Sequence, residues 1–191
     1  RESVIRNQLE IDEGDIYNEI LNKRSENNLK SLNFFKNVKT KVADGEKANS
    51  KIIDVYIVEK ATGEISAGAG VGTSGGTLAF SVKENNYLGK GIGVEANATI
   101  TAETFKGLIS VSNPNYKNSD KNLDLSLEAT SIDRVGTSGY KSNVTGFSIG
   151  TQFEYLDDLR FGLSTRNTIE KMSVDASASD RQKKQDGNYF D

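Results

Sequence analysis

Residues 63–72 read Gly63-Glu64-Ile65-Ser66-Ala67-Gly68-Ala69-Gly70-Val71-Gly72. Ile65, Ala67, Ala69 and Val71 alternate with Ser66, Gly68, Gly70 and Gly72, the period of two that marks a strand with one apolar face. The composition also changes here. Of 18 glycines in 191 residues, only Gly14 and Gly45 come before Gly63. A shift this abrupt places a seam near Lys60–Gly63, with domains expected at 1–62 and 63–191.

Downstream of the seam the pattern repeats. Leu78, Phe80 and Val82 share one face of a second strand, and Val94, Ala96, Ala98 and Ile100 one face of a third. Phe105, Ile109 and Val111 follow, then Leu123, Leu125, Leu127 and Ala129, then Phe147, Ile149, Phe153 and Tyr155, then Leu159, Phe161 and Leu163. The partners on the opposite face are Gly, Ser, Thr and charged residues. Short connections such as Thr101–Thr104 and Leu156–Asp158 make this an up-and-down meander of about seven strands. Past Asn167 the alternation fades. Ser173–Asn188 reads as a long polar loop, with an eighth strand starting near Tyr189.

Alternation alone fits a soluble β-sandwich as well as a membrane barrel. The Gly- and Ser-rich polar face suits a lumen. Aromatics near strand ends (Tyr87, Phe105, Tyr116, Tyr140, Phe153, Tyr155, Phe161) suit a membrane interface. About seven strands leave a bacterial barrel of even count unclosed, and an open edge in lipid is costly. The chain is therefore expected to be a piece of a longer protein, cut at both ends.

Upstream of the seam the reading is helix, helix, strand, strand. Val4, Ile5, Gln8 and Leu9 form a short helical face. Asp15 is placed to cap a second helix, whose stripe runs through Ile16, Ile20, Leu21, Arg24, Asn28, Leu29 and Leu32. Val38, Thr40 and Val42 alternate with Lys39 and Lys41, and Ile53, Val55 and Ile57 with Asp54, Tyr56 and Val58. Two strands are marginal alone, so a strand before Arg1 is expected to be missing.

Composition narrows the chemistry. The chain contains no His, Cys or Trp, and 24 basic against 27 acidic side chains leave a net charge of −3. Disulfides, Cys/His metal sites and Ser-His or Cys-His catalysis are excluded within these residues. Glu95, Asp124 and Glu128 lie on polar strand faces, as a carboxylate pair for glycoside hydrolysis would. Lumen charges paired with Arg160 and Arg166 are the plainer reading. Gly70-Val71-Gly72-Thr73-Ser74-Gly75 matches the dinucleotide fingerprint, but a strand follows where a helix is required, so it reads as a hairpin loop. Lys36, Lys39 and Lys41 read as edge lysines that deter aggregation, diluted by nearby acids, and nucleic-acid binding is not expected.

Several of these residues carry a resemblance. Glu13-Gly14-Asp15-x-Tyr17, then Leu29-x-x-Leu32-x-Phe34-Phe35-x-x-Val38, then Val55-x-Ile57-x-Glu59-Lys60-x-Thr62-Gly63-Glu64 resemble the last POTRA domain of the BamA family of outer-membrane assembly factors. Asn86-Tyr87-Leu88-Gly89-Lys90-Gly91 resembles that family's Asn-x-Leu-Gly-x-Gly turn. Asn113-Pro114-Asn115-Tyr116 resembles its Pro-Tyr turn, with Asn115 inserted. The resemblance covers residues 1–120 and rests on architecture beyond them.

It implies an α+β POTRA domain (β-α-α-β-β, first strand missing) followed by part of an antiparallel transmembrane β-barrel, in the bacterial outer membrane with the POTRA part in the periplasm. It implies a non-enzymatic role: insertion and folding of outer-membrane proteins. The implied partners are the lipid bilayer, nascent outer-membrane proteins and accessory lipoproteins; no cofactor and no metal is expected. The candidate pairing site for a substrate strand is Glu64, Ile65, Ser66, Ala67, Gly68, Ala69, Gly70, Val71 and Gly72. The candidate POTRA edge is Lys36, Val38, Thr40 and Val42. A two-partner secretion transporter of the same superfamily, a soluble β-rich binding module and a carboxylate enzyme remain as alternatives.

Overall fold

A computed structural model describes all residues except Ala48, Thr73, Ser74, Asp157, Asp158 and Ser177. The loop half of the Gly70–Gly75 motif and the Leu156–Asp158 connection thus lie outside the described residues. Two compact units are present: Arg1–Thr62 with Leu88–Lys90, and Gly63–Tyr87 with Gly91–Asp191.

The first unit contains helices α1 (Glu2–Arg6) and α2 (Glu19–Ser31) and strands β1 (Phe35–Asp44) and β2 (Lys51–Glu59). Asn18 caps α2, not Asp15: its backbone is extended and its Oδ1 accepts from the amides of Ile20 and Leu21 at 2.8 and 3.3 Å. Asp15 instead accepts from the Asp12 amide. The helix starts at Glu19, so Ile16 lies outside it, and its buried face is not the stripe expected. Ile16 is 92% exposed, and Ile20 and Arg24 also face out, while Ser25, Glu26 and Leu29 are buried.

Ser25 is buried because its hydroxyl is satisfied twice, donating to the Leu21 carbonyl and accepting from the Glu10 amide. Leu29, Phe34 and Val38 form the small apolar core, with Phe34 and Phe35 edge-to-face at 6.2 Å. β1 and β2 pair antiparallel, with Val38 opposite Ile57, Thr40 opposite Val55 and Val42 opposite Ile53.

The second unit is one antiparallel sheet of eight strands in chain order: β3 (Gly63–Gly72), β4 (Gly75–Tyr87), β5 (Ile92–Thr101), β6 (Thr104–Asn113), β7 (Asn122–Arg134), β8 (Tyr140–Leu156), β9 (Leu159–Val174) and β10 (Gly187–Phe190). The sheet is open, with β3 and β10 at its edges. β6 stops before Pro114, which has no amide for the ladder. The β4–β5 turn is tied by Asn86 Oδ1 accepting from the Gly91 amide at 2.7 Å. It holds Leu88, Gly89 and Gly91 all at positive φ, a conformation costly for Leu.

Two strands run longer than their apolar alternation. β8 begins at Tyr140 and β9 continues to Val174, so the fading past Asn167 does not end the strand. Lys141, Ser142 and Asn143 pair there with Ser173, Met172 and Lys171. A segment with polar side chains on both faces has no apolar period to show. Within Ser173–Asn188, a short helix (Asp180–Lys183) sits behind a Ser179–Gln182 capping box. β10 starts at Gly187, just ahead of the expected Tyr189.

The burial pattern is inside out. Along β4, Thr77, Ala79 and Ser81 are half-buried while Leu78, Phe80 and Val82 are exposed. Along β7, Ser126 and Glu128 are half-buried while Leu127 is 61% exposed. A β-sandwich buries its apolar face against a second sheet. Here the polar face is the sheltered one, and the apolar face is bare.

Candidate functional site

β3 places every residue of the Glu64–Gly72 candidate on one edge strand. It pairs along its whole length with β4, and among the described residues its other side pairs with nothing. Ile65, Ala67 and Ala69 stand opposite Val82, Phe80 and Leu78 on the apolar face. Glu64, Ser66 and Gly70 stand opposite Lys83, Ser81 and Thr77 on the polar face.

All ten residues of β3 are exposed, Ile65 at 81% and Val71 at 93%. A Cβ built on Gly68, Gly70 or Gly72 meets nothing within 4 Å. These glycines are not required by crowding or by an unusual φ. Their effect is to make the strand intrinsically weak, since Gly buries nothing and loses the most backbone entropy on ordering.

The β1 candidates divide. Val38 is buried, Thr40 and Val42 are half-buried, and only Lys36 has an exposed side chain. Thr40 Oγ1 donates to Glu26 Oε2 at 3.1 Å and accepts from Asn22 Nδ2 at 3.2 Å. The side chains of Val38, Thr40 and Val42 are thus committed inward, and what β1 offers outward is backbone flanked by lysines. A bulge between Phe35 and Asn37 leaves Lys36 without a register partner on β2.

The carboxylates of the sheet do not pair with one another. Glu128 Oε1 accepts from Arg166 Nε at 2.7 Å. Asp124 accepts from Ser112 at 2.6 Å and Asn122 at 3.1 Å, and Glu95 from Asn97 at 2.7 Å. Arg160 pairs with Glu154 at 3.7 Å and not with the three acids named from the sequence. Among the described residues no cluster of His, Cys, Asp or Glu could hold a metal ion.

Two features carried no sequence signal. Gly146 stands between Glu128 on β7 and Thr168 on β9, and a Cβ there would lie 2.7 Å from Glu128 Oε1 and 2.9 Å from Thr168 Cγ2. Its missing side chain is what lets the Glu128 carboxylate cross β8 to Arg166. In the first unit, Glu26 collects Lys30, Thr40 and Lys23. The Lys30 ammonium and the Thr40 hydroxyl bring its pKa down to about 2, against the opposing effect of burial.

At the other end of β8 and β9, Phe153 and Phe161 stack at 6.4 Å and Tyr155 meets Phe161 edge-on at 5.6 Å. Lys121 Nζ lies 5.5 Å from the Phe153 ring.

The family model described as "POTRA: Surface antigen variable number repeat" matches residues 1–60. Among solved structures, a crystal structure of BamA from Haemophilus ducreyi lacking POTRA domains 1–3 superposes with a TM-score of 0.77 over 91% of this chain, at 20% identity. The chain shares the fold of part of BamA. It spans 34% of that BamA chain. The resemblance read from residues 1–120 is thus met by the matching POTRA model and the matching β-rich fold.

Proposed function

We propose that this chain is part of an outer-membrane β-barrel assembly factor, which inserts and folds outer-membrane proteins by pairing their strands with β3. One observation carries the reading: a ten-residue, glycine-weakened edge strand whose outer side is unpaired among the described residues, at the border of an inside-out sheet. Free N–H and C=O groups at such an edge are a template for β-augmentation. In lipid they have no water to satisfy them, so a passing strand gains several kcal/mol for each group it covers.

The bare apolar face meets the bilayer, and the sheltered polar face lines a lumen. Among the described residues no helix is long and apolar enough to cross a membrane; in this reading the strands cross it. β3, β5 and β6 each have 10 residues, within the ~9–11 that a tilted membrane strand needs. The first unit is the periplasmic POTRA part. The open outer side of β2 supports a further strand there, completing β-α-α-β-β. The backbone of β1 offers a second edge for nascent chains or an accessory lipoprotein. None of these steps breaks or makes a covalent bond, so the work needs no catalytic side chain and no cofactor.

The chain contains no cysteine, so Ser66→Cys in the complete protein, with any other cysteine removed, gives a single probe on β3. Stalled client barrels carrying one cysteine, scanned along an edge strand, should form a disulfide with it at alternate client positions only. Crosslinking that ignores client position, or that reports no client at β3, would defeat the reading.

A further inference from the structure

The register of β3, β4 and β5 places three charges in one row. Glu64 stands opposite Lys83, and Lys83 stands opposite Glu95. All three fall on the polar face, at the end of the sheet where β3 begins. None of them is in an ion pair of 4 Å or less among the described residues. The row runs acid, base, acid, and Glu64 ends it on the edge strand, with no strand paired beyond it among the described residues. Acids on the polar face otherwise have close partners: Glu128 has Arg166, Asp124 has Ser112, Glu170 has Ser142 at 2.7 Å, and Glu95 within the row accepts from Asn97 at 2.7 Å; among the described residues Glu64 has none.

We infer that Glu64 is a selectivity residue, and that the strand paired to β3 is chosen to carry Lys or Arg at the position opposite it. The inference rests on the strand-pairing reading above and gives it a chemical preference. Directly opposed residues on one face interact most strongly of all cross-strand neighbours, favourably for opposite charges and unfavourably for like ones. A basic residue there extends the row to acid, base, acid, base. An acidic residue meets Glu64 head-on. An antiparallel partner runs against β3, so this position falls near the partner's C-terminal end. The apolar face, Ile65, Ala67, Ala69 and Val71, carries no charge and so discriminates by size alone.

The test uses the complete protein in proteoliposomes and two versions of one client barrel, with Lys or Glu at the residue that crosslinks opposite position 64. The unmodified protein should insert the Lys client about two- to tenfold faster, the scale of one attractive pair exchanged for a repulsive one. Glu64→Lys should reverse the preference, and Glu64→Gln should level the two clients. A preference that Glu64→Lys leaves unchanged would overturn the inference. So would equal insertion of both clients by the unmodified protein, which would leave the strand-pairing reading standing. Insertion of neither client would bring down both. Equal loss of both clients in Glu64→Lys and Glu64→Gln alike would assign Glu64 to the folding of the sheet and overturn its selective role.

Discussion

The edge at β3 and the interior at β7–β9 belong to the same sheet and follow the same ladder rules, yet they are built for opposite ends. Between Ile65 and Val71, β3 offers its neighbour Ser, Ala and Gly, with little side chain to lose when the strands part. β7, β8 and β9 are stitched by side chains: Ser126 to Ser148 at 2.6 Å, Ser131 to Asn143 at 2.7 Å, Ser142 to Glu170 at 2.7 Å, and Glu128 across Gly146 to Arg166. Glycine serves both designs. At Gly68 and Gly70 it leaves empty space. At Gly146 it makes room for a carboxylate to bind two strands away. What a glycine does in a strand depends on what its neighbours send into the gap.

The largest effect is expected at the edge. Replacing both Gly68 and Gly70 with Val adds two strand-favouring side chains into open space, each worth about 1 kcal/mol. Together they should slow client insertion roughly tenfold or more while the barrel keeps its fold. Insertion at the unmodified rate would erase the distinction between edge and interior. In the interior the same change has the opposite sign for stability. Gly146→Val drives a Cβ into Glu128 and Thr168, and overpacking of this kind costs about 1–3 kcal/mol. The temperature at which the barrel loses its compact band in an unboiled detergent gel should fall accordingly.

Acid should separate the first unit from both parts of the sheet. Glu26 has its pKa lowered from 4.5 to about 2, so its contribution is complete above the unfolded value and is lost as pH falls through about 2. Proton uptake on unfolding should appear between those limits, at a cost on the order of 1 kcal/mol because its lysine partners are largely exposed. Glu26→Gln should remove that pH dependence from the melting of residues 1–62 in the intact protein and leave the gel transition of the barrel unmoved. The smallest effect belongs to Arg160→Gln. Its pair with Glu154 is long and exposed, and its loss should shift the barrel's unfolding by less than about 0.5 kcal/mol. A shift as large as that of Gly146→Val would mean that the stitching extends to the β8–β9 turn.

Much of the sheet was legible in the sequence because its chemistry repeats every second residue. Ile65–Val71, Leu78–Val82 and Leu123–Ala129 each show an apolar face with nothing else competing. The ends of β8 and β9 were not legible, because Lys141–Asn143 and Glu170–Ser173 are largely polar on both faces. The start of α2 was misplaced because Asp15 and Asn18 are both good caps, and only the extended backbone at Asn18 selects between them. That shift leaves Ile16 outside the helix, while the hydrogen bonds of Ser25 and Glu26 let those polar residues take the buried face beside Leu29. That Glu64–Gly72 forms a strand was legible in its alternation; that this strand lies at a sheet edge, with Glu64 opposite Lys83, was decided by the pairing.

By itself the sequence determined where one architecture gives way to another, which residues alternate, and that no thiol or imidazole chemistry is available. These are local properties, fixed by the identity and spacing of neighbours along the chain. The tertiary structure decided which face is sheltered, that Glu128 reaches Arg166 over Gly146, and that Glu64 ends a row begun by Glu95 and Lys83. Those facts depend on register, and a strand carries no mark of its partner's register until the hydrogen bonds between them are made.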